Sequence, residues 1–326
     1  MEFIDVYHLP SGRIFKFKTD DGFEIESTEM RDVKTKSKEH FEVRNSDNPR
    51  IIWKHIDPYI NKWLLTVSTQ KGCVHKCKFC DVAQLGFHGN LTTEEITEQI
   101  RKIIIYTPYV NECKKVKIGF ARMGEPAHNL DNVLKAMKML PEISESYVKD
   151  FKWLPCFNTI LPIKIIGRTS ATQVLKEVIE FKEKVYNGFL HLQLSCNSTD
   201  EKARKELFGG ADVLPLADMI DIINKEKITN RTVTLNFIVM ENTPIEISEL
   251  KKMGIDSSKV SIKLIPMNRT DNAEKHGLKT YANYSCYEKL IQLGEEFAKE
   301  GFKTVVDSIA KCEEAGLCCG QLVKYE

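Results

Sequence analysis

The chain has 326 residues, of which 42% are hydrophobic and 29% charged, and a formal net charge of +1 at pH 7. This composition is typical of a globular protein with one large core and a small appendage, and its balanced charge neither requires nor excludes a nucleic-acid partner. The sequence has neither a signal-peptide pattern nor an apolar run of membrane-spanning length, so we expect a cytoplasmic protein without membrane contact. Its ten cysteines then indicate metal binding, catalysis or packing, and argue against a disulfide framework.

The first part of the chain predicts a small β-rich appendage. Polar and apolar side chains alternate over 13–18 and over 23–26, with an Asp-Gly turn between the two runs, which is typical of a hairpin. The stretch 31–62 contains eight Lys or Arg against five Asp or Glu. It indicates a solvated linker, with a phosphate-contacting element as the alternative. We therefore divide the chain into an appendage with a basic insert, 1–62, and a main domain with a C-terminal cysteine segment, 63–326.

The main domain is predicted to be an α/β structure. Strand-like runs alternate with helical patterns, and Thr92 and Glu95 have the spacing of a helix-capping box. Strict alternation implies parallel strands joined by crossover helices. Six such units indicate a partial (β/α)6 barrel, although the pattern alone does not separate it from a doubly wound sheet. The predicted strands are 64–70, 116–122, 153–159, 190–197, 232–240, 260–267 and 304–306.

The most informative motif is C-V-H-K-C-K-F-C at 73–80, which follows the first of these strands. Three thiolates, from Cys73, Cys77 and Cys80, can ligate three irons of a 4Fe-4S cluster and leave the fourth iron open. The open iron can chelate the amino and carboxylate groups of S-adenosylmethionine (SAM), and an electron from the cluster then gives methionine and a 5′-deoxyadenosyl radical. The alternatives are a structural zinc loop completed by a fourth cysteine, and three unrelated thiols.

A glycine and a carboxylate follow the next predicted strand, in the tripeptide Gly124-Glu125-Pro126. Glu125 at a strand end can accept hydrogen bonds from the SAM ammonium, and Gly124 lets the backbone approach a ligand closely. As an isolated tripeptide the motif is more often a turn. Its position after the cysteine loop therefore carries the prediction.

Five further motifs follow in order: A-Q-L-G-F at 83–87, M-G-E-P at 123–126, N-L at 129–130, L-I-P-M-N at 264–268 and C-G-Q-L at 319–322. Together with the cysteine loop, they resemble the radical SAM adenosine methyltransferases of 23S rRNA and tRNA, the RlmN and Cfr family. The resemblance extends from about residue 64 to the end, with a weaker match at the hairpin. It implies a radical SAM barrel, a 4Fe-4S cluster, SAM, RNA or another adenine-containing substrate, and an electron donor such as flavodoxin or ferredoxin.

The resemblance also implies roles for single residues. Cys319 would be methylated by one SAM, and a second SAM would supply the radical that abstracts hydrogen from this methyl group before the carbon adds to adenine. Glu26 would assist the removal of a substrate proton, with an exposed strand glutamate as the alternative. Phe79 would pack against the adenine of SAM. The implied SAM-binding residues are Gly124, Glu125, Asn158, Ser195, Asn197 and Asn268; for the asparagines 158 and 197 and for Ser195, turn hydrogen bonding is the alternative.

The thiol chemistry departs from the family at one position. The family uses a second cysteine to release the product through a disulfide, and Thr66 stands at that position. Cys318 is a candidate replacement, although a disulfide with the adjacent Cys319 would be strained. Cys156 and Cys196 are further candidates, for which simple packing is the better interpretation.

The substrate surface also departs from the family. Few residues precede the hairpin, where the family carries a helical RNA-binding domain. The family's arginine before Asn90-Leu91 is Gly89, and acidic residues, Asp307, Glu313 and Glu314, replace its basic C-terminal segment. Such changes would repel a phosphate backbone.

Two other functions therefore remain alongside methylation of an adenine-type carbon. One is a different radical reaction on a nucleotide, small metabolite or peptide, which Thr66 favours and Cys319 opposes. The other is a metal-binding or interaction module without catalysis, which the intact Glu125 and Asn268 positions oppose.

Overall fold

The structure is a computed structural model that describes residues 1–35, 54–56, 58–110, 112–147, 152–168, 170–241, 243–279, 284–307, 316–318 and 320–322. The strands in these ranges are β1 (Glu2–Leu9), β2 (Gly12–Lys18), β3 (Glu24–Arg31), β4 (Val33–Thr35), β5 (Lys54–Ile56), β6 (Trp63–Thr66), β7 (Gln70–Gly72), β8 (Phe87–Asn90), β9 (Val116–Gly119), β10 (Trp153–Thr159), β11 (His191–Ser195), β12 (Val233–Val239), β13 (Val260–Pro266) and β14 (Lys303–Val306). The α-helices are α1 (Thr93–Ile105), α2 (Leu130–Lys138), α3 (Leu140–Tyr147), α4 (Ala171–Tyr186), α5 (Glu201–Leu207), α6 (Leu216–Lys225), α7 (Ile247–Lys252), α8 (Asp271–Lys275) and α9 (Tyr284–Lys299). None of these described helices has the length and apolar character needed to cross a membrane.

Ten strands form one continuous sheet in the order β1-β2-β3-β6-β9-β10-β11-β12-β13-β14. Within this sheet, β6 and the strands that follow it in the given order, from β9 to β14, pair in parallel with their neighbours, as the alternation of strands and helices predicted. The strands β1, β2, β3 and β6 are joined by antiparallel pairing. The carboxyl ends of the parallel strands therefore lie along one edge of the sheet. The cysteine loop and the Gly124-Glu125-Pro126 motif lie at this edge.

The N-terminal strands extend this sheet. The predicted hairpin corresponds to β2 and β3, in which Lys18 lies opposite Glu24. Strand β1 was not predicted, because a register shift between Phe3 and Asp5 breaks its period-2 pattern. The separation of an appendage from the main domain stays a prediction, and residues 36–53 and 57 of the basic insert lie outside the described residues.

The two faces of the parallel sheet differ in polarity, as strand β11 illustrates. Leu192 and Leu194 are completely buried in the main hydrophobic core, which the outer helices cover. The alternating residues Gln193 and Ser195 instead line a cavity on the inner side of the sheet. Because successive side chains of a strand point to opposite faces, the same strand builds both the core and the polar site.

Helix α1 begins at the predicted capping box and fixes the segment that follows the cysteine loop. The Thr92 hydroxyl accepts a hydrogen bond from the Glu95 amide at 3.1 Å, and the Glu95 carboxylate accepts one from the Thr92 amide at 2.8 Å. These two bonds satisfy amides at the helix start that have no partner within the helix. Ile96 and Ile100 then bury the inner face of the helix.

Candidate active site

A cavity of about 270 Å³ lies at the carboxyl ends of the parallel strands. It brings together eleven of the thirteen predicted site residues; Glu26 does not line it, and Cys319 lies outside the described residues. The predicted residues that line the cavity are Cys73, Cys77, Phe79, Cys80, Gly124, Glu125, Asn158, Ser195, Asn197, Asn268 and Cys318.

The cysteine loop is held at its start by a close backbone contact. Strand β7 approaches Gly86 so closely that a Cβ at Gly72, where φ is +71°, would lie 1.8 Å from the Gly86 oxygen. The next amide, that of Cys73, donates to this same oxygen at 2.8 Å. A glycine at position 72 is therefore required for the path that starts the loop.

A side chain from a distant helix holds the other end of the loop. The Asn272 amide nitrogen, Nδ2, donates to the carbonyls of Cys77 at 2.9 Å and Cys80 at 3.1 Å. The backbone amide of Asn272 donates to the Asp81 carboxylate at 2.9 Å, and the Asp81 amide donates to the Gly320 oxygen at 2.7 Å. No sequence motif points to Asn272, because only the fold brings the start of α8 to the cysteine loop.

The donor set of the cavity fits an iron-sulfur cluster with a polar ligand. The thiols of Cys73, Cys77 and Cys80 are half-buried along the same cavity. Within the described part of the chain, no three His, Cys, Asp or Glu side chains are grouped so as to hold a metal ion. The thiolates of a cluster bind different irons, so they need to surround a volume and not a point.

Several buried polar atoms around the cavity are without a hydrogen-bond partner among the described residues. Unpaired buried groups are costly, so a cluster of them at a cavity indicates a site for a polar ligand. These atoms are Arg122 Nε, Gln193 Oε1, Asn197 Nδ2 and Asn236 Oδ1.

Glu125 is 5% exposed and accepts hydrogen bonds from two backbone amides, those of Ala127 at 3.0 Å and Ile160 at 3.1 Å. Burial raises the pKa of its carboxyl group to about 7, although hydrogen bonds from Thr159 and these amides act in the opposite direction. A cationic group of a ligand would favour the ionised form. The carboxylate can therefore serve as an acceptor for an ammonium group.

Gly124 allows the strand end to pack against the cysteine loop. Its φ is +99°, and a Cβ at this position would lie 2.5 Å from Gln70 Cβ. The Gln70 side chain in turn accepts a hydrogen bond from the Glu125 amide at 2.9 Å. The glycine thus sets the position of the carboxylate that follows it.

Two histidines meet beside the cysteine loop. His128 Nδ1 accepts a hydrogen bond from the Ile166 amide at 3.1 Å, so the His128 proton is assigned to Nε2, which lies 3.0 Å from His75 Nε2. Burial lowers the pKa of both rings to about 4. Both rings are therefore neutral at physiological pH and form one hydrogen-bonded pair. No sequence motif points to His128, which meets His75 only through the fold.

The polar residues at the ends of β10 and β11 form one row. Asn158 lies opposite Gln193 in the parallel register, and Gln193 Nε2 donates to Asn158 Oδ1. Asn197 has the left-handed φ of 62°, and its Oδ1 accepts from the Ile238 amide at 3.1 Å. Its other side-chain atom, Nδ2, faces the cavity without a partner in the described chain.

Glu26 is tied to the site through Arg122. The guanidinium of Arg122 donates through Nη2 to the Glu26 carboxylate and through Nη1 to the Cys318 oxygen at 3.1 Å. Arg122 itself lines the cavity. The carboxylate therefore belongs to a buried ion pair at the edge of the site.

The remaining thiols differ in their access to the cavity. Cys156 and Cys196 are completely buried, and each donates to a carbonyl of its own strand, at 3.7 Å to Leu154 and 3.4 Å to Leu194. Burial raises the pKa of both thiols, to about 12 for Cys196. Neither lines the cavity, whereas Cys318 does.

Position 66 carries a hydroxyl that is already engaged. The Oγ1 atoms of Thr66 and Thr28 are 2.5 Å apart, between the paired strands β6 and β3. A hydroxyl cannot exchange with a disulfide, so this position offers no thiol chemistry.

The comparisons with known proteins agree with this geometry. No family model matches the chain. A protein of Aquifex aeolicus named as a probable dual-specificity RNA methyltransferase RlmN is 26% identical over 277 residues, which cover 83% of this chain and 67% of the relative. A protein of the same name from Bacteroides fragilis is 29% identical over 285 residues, with 86% and 75% covered. The predicted resemblance to RlmN proteins is thus confirmed.

The fold comparison points the same way. The crystal structure of a radical SAM methyltransferase from Sphaerobacter thermophilus matches with a TM-score of 0.66 and 17% identity, and the match covers 98% of this chain and 80% of that one. At this identity the likeness concerns the fold. It confirms the predicted radical SAM α/β fold with additional N-terminal strands.

Proposed function

We propose that this chain is a radical SAM methyltransferase of the RlmN and Cfr type, which transfers a methyl group from SAM through Cys319 to an adenine-type carbon of RNA or a nucleotide. The observation that carries the proposal is the convergence of the three loop cysteines, Glu125 and Cys318 on one cavity. The names of the relatives support RNA as the substrate. A flavodoxin or ferredoxin would donate the electrons.

The residues that line the cavity would have different roles in binding the cluster and SAM. When bound at Cys73, Cys77 and Cys80, a reduced 4Fe-4S cluster would supply the electron that cleaves SAM to a 5′-deoxyadenosyl radical. Glu125 would accept hydrogen bonds from the SAM amino group. Phe79, whose ring lies 6.2 Å from that of Phe208 in an edge-on contact, would pack against the adenine of SAM. The polar groups of SAM would be held by Asn158, Ser195, Asn197 and Asn268.

Two cysteines would then act on the methyl group. Cys319 would carry it to the substrate. Cys318, half-buried at the cavity, would provide the second thiol that resolves the protein-substrate bond, since Cys156 and Cys196 do not reach the cavity.

A different radical reaction on a nucleotide, small metabolite or peptide is the second candidate. Thr66 favours it, because the Thr66 hydroxyl pairs with Thr28 and supplies no thiol. This reaction would use the same cluster and SAM residues but no methylated cysteine.

Product analysis separates the candidates. The chain would be reconstituted anaerobically with iron and sulfide, reduced, and incubated with SAM that carries a deuterated methyl group. Both 5′-deoxyadenosine and S-adenosylhomocysteine are expected, together with a labelled methyl group on the Cys319 peptide. 5′-Deoxyadenosine alone would support the second candidate. If a cluster-loaded chain forms neither 5′-deoxyadenosine nor S-adenosylhomocysteine, both candidate functions are refuted.

A further inference from the structure

Arg122 joins three parts of the chain that are distant in sequence. It follows β9, is 2% exposed, and lines the same cavity as the cysteine loop. Its Nη2 donates to Glu26 on β3, and its Nη1 donates to the Cys318 oxygen at 3.1 Å. The backbone amide of Arg122 donates to the Val67 oxygen at 3.0 Å, which fixes the start of the side chain. One guanidinium therefore links the N-terminal strands, the barrel and the C-terminal cysteine segment.

The described residues of the C-terminal cysteine segment, 316–318 and 320–322, belong to no helix or strand. Its contacts to the barrel include the Gly320 oxygen, which accepts from the Asp81 amide at 2.7 Å, and the Gln321 side chain, which donates to the Arg269 oxygen at 3.1 Å. The Cys318 amide donates back to Gln321 at 3.1 Å, within the segment. The bond from Arg122 adds a charged contact that holds the Cys318 backbone against the cavity.

The ion pair explains why the guanidinium points toward Cys318. The side chains of Arg122 and Glu26 are 1% and 6% exposed. Removing one member of such a pair leaves a buried charge without compensation, so the two charges fix each other. A guanidinium has its N–H groups in a rigid planar fork, so anchoring one arm at Glu26 aims the other. The pair occupies the Oε2 atom of Glu26 and ties its charge to Arg122.

We propose that Arg122 is a positioning residue that docks the segment carrying Cys318 and Gly320 onto the three-cysteine cavity, and that Glu26 orients Arg122 instead of accepting a substrate proton. The proposal deepens the proposed function, in which this segment provides the reacting thiols. Docking can nevertheless be measured without turnover.

The test uses alkylation of Cys318 in the full, cluster-loaded chain. Iodoacetamide would be added anaerobically, and peptide mass spectrometry would follow the rate of modification at Cys318. Cys113 is the internal reference for global unfolding, because it is 2% exposed and its thiol donates to the Tyr59 oxygen at 3.0 Å, away from the cavity. Local undocking raises the rate at Cys318 but not at Cys113.

Four variants would be compared with the unmodified chain. Arg122→Gln removes the positive charge. Arg122→Lys keeps a positive charge that can pair with Glu26, but it lacks the planar guanidinium whose second arm donates to the Cys318 oxygen. Glu26→Gln removes the orienting partner. Arg168→Gln is the matched control, since Arg168 pairs with Asp131 and Glu177 outside this contact.

Both Arg122 variants are expected to raise the alkylation rate at Cys318 about tenfold, the effect of losing one charged hydrogen bond. Glu26→Gln should raise it in the same direction, and Arg168→Gln should leave it unchanged. If Arg122→Gln does not fold, Arg122→Lys carries the test alone. An unchanged rate at Cys318 in a folded Arg122→Lys chain would overturn the proposal. Absence of methylation with the expected alkylation pattern would instead refute the proposed function.

Discussion

Replacement of Asn272 by alanine is expected to loosen the cysteine loop without unfolding the barrel. The change removes the two hydrogen bonds from Nδ2 to the carbonyls of Cys77 and Cys80. It keeps the backbone amide that donates to Asp81. The loop that presents two of the three thiolates therefore loses its side-chain support, while the start of α8 remains in place.

The free energy lost in this variant depends on the hydrogen bonds that the Cys77 and Cys80 carbonyls keep. The Cys77 oxygen also accepts from the Cys80 amide at 3.2 Å, and the Cys80 oxygen also accepts from the Ala83 amide at 3.3 Å. The loss is therefore at the lower end for a neutral hydrogen bond, about 0.5 to 1 kcal/mol each and about 1 to 2 kcal/mol together. This free energy corresponds to release of the cluster about tenfold faster, in the range found when the support of a metal ligand is removed.

Iron release to a chelator measures the effect. The cluster-loaded chain would be mixed anaerobically with a strong iron chelator, and the half-time of iron release would be followed by absorbance. Asn224→Ala is the matched control, because the Asn224 side chain also makes two hydrogen bonds, to the Gly254 oxygen at 2.8 Å and from the Asp256 amide at 3.2 Å, outside the cavity lining. Both variants should lose similar stability, and only Asn272→Ala should release iron faster. Equal release from the two variants would refute the reasoning.

Three further predictions concern the same cavity. The pKa of the Glu125 carboxyl group is about 7, so its ionised fraction rises as the pH rises through this value. The dissociation constant of SAM should therefore fall between pH 6 and pH 8, and calorimetry would detect the change. A dissociation constant that does not depend on pH would contradict the role of Glu125. Gly124→Ala should lower the free energy of unfolding by about 1 to 3 kcal/mol more than Gly22→Ala does. Both glycines have a positive φ, but only at Gly124 would a Cβ overlap Gln70. Denaturant titration of the two variants measures the difference. Purified chain should carry one methyl group on the Cys319 peptide, absent from Cys319→Ala; an active enzyme with unmodified Cys319 would exclude the methylated-cysteine route.

The sequence predicted the features that depend on local pattern. The strands β6 and β9 to β14 follow from apolar runs, and the convergence of Cys73, Cys77 and Cys80 with Glu125 follows from motifs placed at strand ends. The predicted 64–70 strand ends earlier, at Thr66, because the chain leaves the pairing with β3 and Gln70 joins β7 beside β8.

The contacts missed by the sequence depend on tertiary structure. Asn272 lies 195 residues from Cys77 along the chain, and Arg122 lies 96 residues from Glu26 and 196 residues from Cys318. Neither residue belongs to a short motif, so only the fold could reveal its partners. The assignment of Glu26 as a proton acceptor had the same weakness, because its partner was unknown.

The contacts of Asp81 couple the cysteine loop to the segment around Gly320. Asp81 follows Cys80 directly, and its amide holds the Gly320 oxygen while its carboxylate holds the start of α8. A change that displaces Asp81 would therefore release two partners of the loop at once. Damage to the loop should thus also free the segment that carries Cys318 and leave this half-buried thiol open to oxidation.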